Sequence, residues 1–248
     1  MRIDVFLGLA EITPAETTGR VVAVIDVLRA STTIAVALAN GARAVIPFES
    51  SEDAALRAKS FDRSEVKLAG ERRMHTVPGF DLGNSPSQFT PEVVDGKTVL
   101  FATTNGTRAL VGVQGARDVV VAAYVNFTAV TALLRSAVRG GTDVSIICAG
   151  QERHFSLEDA ACAGRYVRMV TKALPDVPRN DAAHACTLIE RQYKDNRERV
   201  YADSTHGRAL VEAGFAADLT VAGEVDTYPV VPFYRDRQIT KLGPERER

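Results

Sequence analysis

Five consecutive apolar residues, Val21 to Ile25, run into an acid, Asp26, and from Ser31 the apolar spacing turns helical. A continuous apolar run of strand length is buried on both faces, so the sheet that holds it needs helices on either side. The pattern recurs. Further β-branched runs at Ala44 to Pro47, Val66 to Ala69, Thr98 to Ala102, Val119 to Ala122 and Val144 to Cys148 alternate with helical stretches. Those stretches begin near Ser31, Ser51, Asn105, Asn126 and Ser156. The alternation predicts an α/β fold with a largely parallel or mixed sheet layered between helices. Beyond about residue 155 it gives way to helical stretches near 156–173, 181–192 and 204–213, then a short strand and the segment TYPVVPFY. The stretch 70–96 is too long for an ordinary connection, and loops of that length often carry function.

The chain has 248 residues, 46% hydrophobic and 25% charged, enough to bury a sizeable core. Its formal net charge of −1, with basic residues scattered along it, gives no footprint for nucleic acid or an anionic membrane. No apolar run approaches the ~20 residues of a membrane helix. The N-terminus, MRIDVFLGLAEITP, carries acids within and just after a very short apolar stretch and reads as a first strand, not a signal peptide. Three cysteines, Cys148, Cys162 and Cys186, have no metal-type spacing and form no even set. With no export signal, the expected setting is a reducing cytoplasm. The mixed-charge tail GPERER reads as a solvated end. No repeat or low-complexity tract divides the chain, and both a monomer and a homo-oligomer remain open.

Polar residues gather after the strands: Asp26 and Arg29 after the first run, AGERR after Ala69, ATTNGTR after Phe101, and CAGQERHFSLED at Cys148. In open α/β sheets ligands sit beyond the carboxyl ends of strands, where helix N-termini offer unpaired N–H groups to anions. The site is therefore expected at those strand ends. Ser31, Thr32 and Thr33 either cap a helix or donate to phosphate oxygens, and Arg29 offers a planar fork of donors. SLED from Ser156 is equally a capping sequence, in which Glu158 and Asp159 serve the helix dipole. Asn105-Gly106 is compatible with a simple turn. Asp26 is harder to explain structurally, because a carboxylate directly after a buried strand needs a partner or a metal.

Common phosphate chemistries fail on spacing. Leu28 occupies the second acid position of a D-x-D phosphatase, and Cys148 precedes Arg153 by four intervening residues where a cysteine phosphatase needs five. Thr205-His206-Gly207 is not R-H-G, and no phosphate-binding G-x-x-x-x-G-K-[ST], dinucleotide G-x-G-x-x-G or G-x-S-x-G is present. What remains is a less common site: acids able to hold Mg²⁺ beside donors for an anion.

Taken together, VIDVLRASTTIAVAL, GERRMHTVPGFDLGNSPSQF, TTNGTRAL, CAGQERHFSLEDAACAG and STHGRALVEAGFAADL occur in the order expected of 2-phosphosulfolactate phosphatases. The resemblance spans about residues 4 to 234. It implies a single phosphatase domain over 1–248, with two α/β lobes divided near 125–140 as the alternative arrangement. It further implies hydrolysis of (2R)-2-phospho-3-sulfolactate to 3-sulfolactate and phosphate, with Mg²⁺, on a route to coenzyme M. Asp26, Glu71 and Asp159 are the expected catalytic acids, and Asp26, Glu71, Asp81 and Glu158 the pool of metal ligands. Mg²⁺ takes one or two carboxylates alongside phosphate oxygens and water, so only part of that pool is needed. Arg29, Ser31, Thr32, Arg72, Asn84, Ser85, Thr104, Asn105, Thr107, Arg108 and His206 are the expected contacts to a small polyanionic substrate. One departure is visible: a glycine is expected soon after Gly70 to Arg72, but Arg73, Met74 and His75 fill that turn. This bears on substrate choice more than on reaction type. Two other readings compete, a phosphatase for another small phosphorylated hydroxy acid and an anion-binding protein without catalysis.

Overall fold

The structure is a computed structural model that describes residues 1–113, 115–152 and 154–243, so most of the charged tail lies outside the described residues. The chain begins with strand β1 (Ile3–Phe6), followed by β2 (Val21–Ile25), helix α1 (Ala30–Ala39), β3 (Ala44–Phe48) and α2 (Ser51–Ala58). Next come β4 (Val66–Arg72), the two-residue β5 (His75–Thr76), the single turn α3 (Pro91–Val94), β6 (Thr98–Ala102) and α4 (Gly106–Gly112). Then follow β7 (Asp118–Ala122), α5 (Phe127–Arg139), β8 (Val144–Cys148) and α6 (Leu157–Thr171). A helical region, α7 (Asp181–Tyr193), α8 (Arg197–Asp203), α9 (Thr205–Glu212) and α10 (Ala216–Gly223), precedes the hairpin β9 (Pro232–Arg235) and β10 (Gln238–Lys241).

The strands form one mixed sheet in the order β1-β8-β2-β7-β9-β10-β3-β6-β4-β5. Two parallel sets, β1-β8-β2-β7 and β3-β6-β4, are joined by the antiparallel β9–β10 hairpin. In β2 every residue is buried, as a strand covered on both faces requires. One face of the first set packs on α5, α6 and the helices beyond, a cluster that includes Ile25, Val130, Leu134, Tyr166 and Tyr201. The opposite cluster combines Val22 and Val24 of β2 with Ile34 of α1, Leu110 of α4, and Val45, Val99 and Phe101 of the second set. Helices α1 and α4 therefore lie between the two parallel sets. That is why α1 buries Ala30 through Leu38, almost its whole surface, where an edge helix keeps a polar stripe. By contrast α5 buries Phe127, Val130, Thr131, Leu134 and Val138, the spacing of a single buried face.

The predicted α/β class with a mixed, largely parallel sheet is what the chain forms. Strand β4 runs to Arg72, three residues past the predicted end, which carries Glu71 and Arg72 out of the sheet interior on a rigid element. The stretch 70–96 holds the end of β4, β5 and α3 rather than one loop. Helices α8 and α10 were not legible, since α8 buries only the adjacent Val200 and Tyr201, and α10 only Asp218 and Ala222, so neither repeats an apolar face. Among the described residues no helix is long and apolar enough to cross a membrane.

Helix α6 meets the backbone of α7 at Gly164, where a Cβ would lie 2.0 Å from the Cys186 carbonyl oxygen. Backbone cannot yield there as a flexible side chain does. Gly164→Ala is expected to destabilise the protein by about 2–3 kcal/mol, a fall in Tm of roughly 4–12 °C. Thermal denaturation followed by circular dichroism checks it, and an unchanged Tm counts against the close helix contact.

Candidate active site

Asp26 leaves the carboxyl end of β2 almost fully buried and lines a cleft of about 340 Å³. Its surroundings are fixed by backbone bonds. The Asp26 N–H donates to Ser31 Oγ at 2.9 Å, the Ser31 N–H donates to the Asp26 carbonyl at 2.8 Å, and Ala30 N–H donates to Asp26 Oδ1 at 3.3 Å. On the far side, α4 begins so near that a Cβ on Gly106 would sit 2.7 Å from Asp26 Oδ2. Glycine at 106 is therefore what lets the β6–α4 loop close on the acid.

Glu71 faces the same cleft from β4. Its Oε1 accepts from the Thr104 N–H and hydroxyl, both at 2.8 Å, and its Oε2 accepts from the Met74 N–H at 2.9 Å. His206, at the start of α9, places Nδ1 3.5 Å from Glu158 Oε1. Glu158 and Asp159 open α6 directly behind the cleft and are both buried. Asp159 joins three segments: its Oδ1 accepts from Val27 N–H at 2.8 Å and its Oδ2 from Gly150 N–H at 3.2 Å.

So many acids out of water perturb one another. Burial pushes the Asp26 carboxyl up to about 6; His206 and the Ala30 N–H oppose the shift, while Glu71 and Glu158 add to it. Burial, then the charges of Asp26 and Glu158, push Asp159 well above the usual carboxylate range against its two backbone donors. Glu158 goes the other way. Burial raises it, but the hydrogen bond and charge of His206 outweigh that penalty and leave it below its ordinary value.

Arg29 supplies the cationic wall. Its Nη1 donates to Asp218 Oδ2 at 2.7 Å, its Nη2 donates to the Met74 carbonyl at 2.7 Å, and its guanidinium stacks 4.3 Å from the Phe215 ring centroid. Arg29 and Asp218 are 3% and 2% exposed, so this ion pair is shielded from salt and water. Asp218 also accepts from the Ser85 hydroxyl. Asp218 was missed in the sequence. The signal was a single acid in the otherwise uncharged helix AADLTVAG, which asks for a buried partner.

Of the expected site residues, Asp26, Arg29, Glu71, Arg72, Asn84, Thr104, Asn105 and His206 line the cleft. The others stand apart from its lining. Ser31 and Thr32 are buried with their hydroxyls turned to backbone, Ser31 to Val24 and Thr32 to Val27, where they close the β2–α1 turn. Thr107 is likewise occupied by its bond to the Thr103 carbonyl at 2.9 Å. Ser85 is spent on Asp218. Asp81 pairs with Arg63 and accepts from Leu68 N–H at 2.8 Å, holding β4 in place away from the cleft. Arg108 is exposed on α4 and is not among the residues that line the cleft. Gln151 and Glu152 join the lining, tied to the β6–α4 loop where Glu152 N–H donates to Asn105 Oδ1 at 3.1 Å.

Among the described residues no three His, Cys, Asp or Glu side chains converge as a metal cage. Beside the His206 imidazole and the Glu152 carboxylate, the cleft is lined by hard oxygens of Asp26, Glu71 and Asn84, and Asn84 Oδ1 is buried with no hydrogen-bond partner among the described residues. An orphaned amide oxygen beside two carboxylates fits a Mg²⁺ that completes its shell with water and phosphate. All three cysteines are buried and none is in a disulfide, and burial pushes the Cys186 thiol up to about 12, the opposite of a nucleophile's environment.

A family profile described as 2-phosphosulpholactate phosphatase matches residues 8–237. Among relatives, a protein of Caldanaerobacter subterraneus named probable 2-phosphosulfolactate phosphatase is 40% identical over 211 residues, 85% of this chain and 86% of its own. Another of that name from Symbiobacterium thermophilum is 39% identical over 235 residues, 94% of this chain and all of its own. A third, from Thermotoga petrophila, is 35% identical over 216 residues, 86% and 88% of the two chains. Fold, cleft and kinship together define an α/β enzyme of the phosphoric monoester hydrolase class. Within that class the chain belongs to the 2-phosphosulfolactate phosphatase family.

The two arginines set apart by the structure are expected to behave differently. Arg29→Ala leaves Asp218 buried and uncompensated, a loss of about 3–5 kcal/mol, whereas Arg108→Ala on the surface should stay within about 0.5 kcal/mol. Urea unfolding of both variants tests this. Equal stability of the two would show that the Arg29–Asp218 pair does not hold the cleft together.

Proposed function

We propose that this protein hydrolyses 2-phosphosulfolactate to 3-sulfolactate and phosphate, with Mg²⁺ as its metal. The observation that carries the reading is the buried Asp26 carboxylate, set in one cleft with Glu71, Arg29 and His206. A phosphate monoester flanked by a carboxylate and a sulfonate is a small polyanion, and Arg29 retains N–H groups beyond the two used on Asp218 and Met74 to receive it. Asp26 and Glu71, with Asn84 Oδ1, are the residues that would hold the metal. When bound, Mg²⁺ neutralises charge on phosphoryl oxygens and makes a bound water a better nucleophile. Glu71 is kept in position by Thr104 and Met74, so its carboxylate needs no reorganisation when substrate arrives. The leaving group is a secondary alkoxide and needs a proton. His206 is suited to give it from Nε2, because Glu158 engages Nδ1 and orients the ring. The resemblance extends the proposal to the cytoplasm and to a route towards coenzyme M.

Phosphate release from 2-phosphosulfolactate should require Mg²⁺ and stop on chelation. Undiminished turnover in metal-free enzyme would remove the metal from the mechanism, and no release from any phosphorylated hydroxy acid would favour an anion-binding protein. Asp26→Asn keeps shape and removes charge, and should lower kcat/KM by about 1,000-fold or more.

The same variant has a pH signature in the metal-free protein. Because folding raises the Asp26 value from 3.8 to about 6, its contribution to stability is complete below 3.8 and is lost as pH rises through about 6. The Asn variant has no such loss. Its Tm should therefore match the parent at acid pH and exceed it above pH 7, by an amount corresponding to about 1–3 kcal/mol. Parallel melting curves across that range would speak against a buried charge at 26.

A further inference from the structure

We propose that Arg73 is a specificity-determining residue: from the tip of the β4–β5 hairpin it reads the substrate's anionic group remote from the phosphate. The inference rests on the activity proposed above and assigns a recognition role within that cleft. Strands β4 and β5 pair Glu71 with Thr76 and Arg72 with His75, which leaves Arg73 and Met74 as a two-residue turn. Both have positive φ, +51° and +71°. Two-residue hairpin turns of this kind favour Asn-Gly, and long side chains persist in the left-handed region only where their surroundings hold them.

Met74 is accounted for by such surroundings. Its N–H donates to Glu71, its carbonyl accepts from Arg29, and its side chain packs on the core. Arg73 is not. It is exposed, lines the cleft, and among the described residues has neither a hydrogen bond nor an ion pair for its side chain. The other two arginines of the lining already have partners within the protein, Arg29 in Asp218 and Arg72 in Ser51 and Glu52. Neither packing nor pairing therefore explains an arginine at this tip, while an anion in the cleft does. The geometry also orders the ligand. Asp26 is buried and Arg73 is exposed, so a phosphoryl group held at the inner end leaves the rest of the molecule directed to the rim. A sulfonate or carboxylate there presents oxygens in the arrangement that a guanidinium fork matches.

The test compares 2-phosphosulfolactate with 2-phospholactate, which lacks the sulfonate, in the full-length enzyme and in Arg73→Gly and Arg73→Gln. Gly suits the backbone at positive φ, so the first variant should melt at or above the parent temperature; Gln keeps the side chain's bulk and removes its charge. In both, the preference for the sulfonated substrate, as a ratio of kcat/KM values, should fall by about 3- to 10-fold. The change should lie in KM, and Arg73→Lys should retain part of the preference. An unchanged ratio in a folded variant would overturn the role. Calorimetric binding of 3-sulfolactate against lactate is measured alongside. Should the parent hydrolyse neither ester, the proposed activity fails, and the binding arm alone decides. Loss of the sulfolactate preference in Arg73→Gly then upholds the role, whereas a preference equal to the parent's, or no binding by the parent, removes it.

Discussion

Asp26, Glu158 and Asp159 lie in one buried cluster, and carboxylates kept from water need donors, counter-charge or protons. Much of the architecture around the cleft is the answer to that need. Backbone N–H groups of Val27 and Gly150 are turned on Asp159, that of Ala30 on Asp26, and the His206 ring on Glu158. The Ala30 bond is local to its turn, but those to Val27, Gly150 and His206 link separate elements, so satisfying the acids also fixes where the end of β2, the loop after β8 and the starts of α6 and α9 stand relative to one another. The residual imbalance appears as raised carboxyl pKa values at Asp26 and Asp159. A site that must receive a cation, or give and take a proton, gains from holding that imbalance ready before its ligand arrives.

The Arg29–Asp218 pair is the second buried charge, of the opposite design. It is fully matched, and it unites the β2–α1 turn with α10 across 189 residues of sequence. Through Ser85 it reaches the GNSP segment, through the Met74 carbonyl the β4–β5 hairpin, and through Phe215 the start of α10. Buried ion pairs contribute little net stability compared with apolar packing, yet losing one partner is costly. Their value here is positional: four segments remote in sequence are held to one wall of the cleft.

Different parts of the site were legible to different degrees. Asp26, Glu71 and the TTNG segment could be read because each follows directly on an apolar strand, and a strand end is a place in space as well as in sequence. Ser31, Thr32 and Thr107 carry the right chemistry for phosphate, but their hydroxyls are buried and bonded to neighbouring backbone. Residue type does not say which way a helix turns its first residues. Asp81 is an acid in the right segment whose carboxylate is taken by Arg63 and the Leu68 N–H, apart from the cleft lining. Asp218 gave only the weak signal of a lone acid in an apolar helix.

The local pattern of the chain determined the α/β class, the strands and most of the helices, because burial on two faces leaves a continuous apolar run that needs no knowledge of partners. It also determined that acids and hydroxyls cluster at strand ends, and its motifs carried the family. Tertiary structure alone decided that the β9–β10 hairpin joins two parallel sets into one sheet, with α1 and α4 enclosed between them. It alone decided which of the acids share a cleft and which arginine there stands unpaired among the described residues. Those outcomes depend on contacts between residues far apart in sequence, and such contacts are set by packing and by the pairing of buried charge, which no local spacing records.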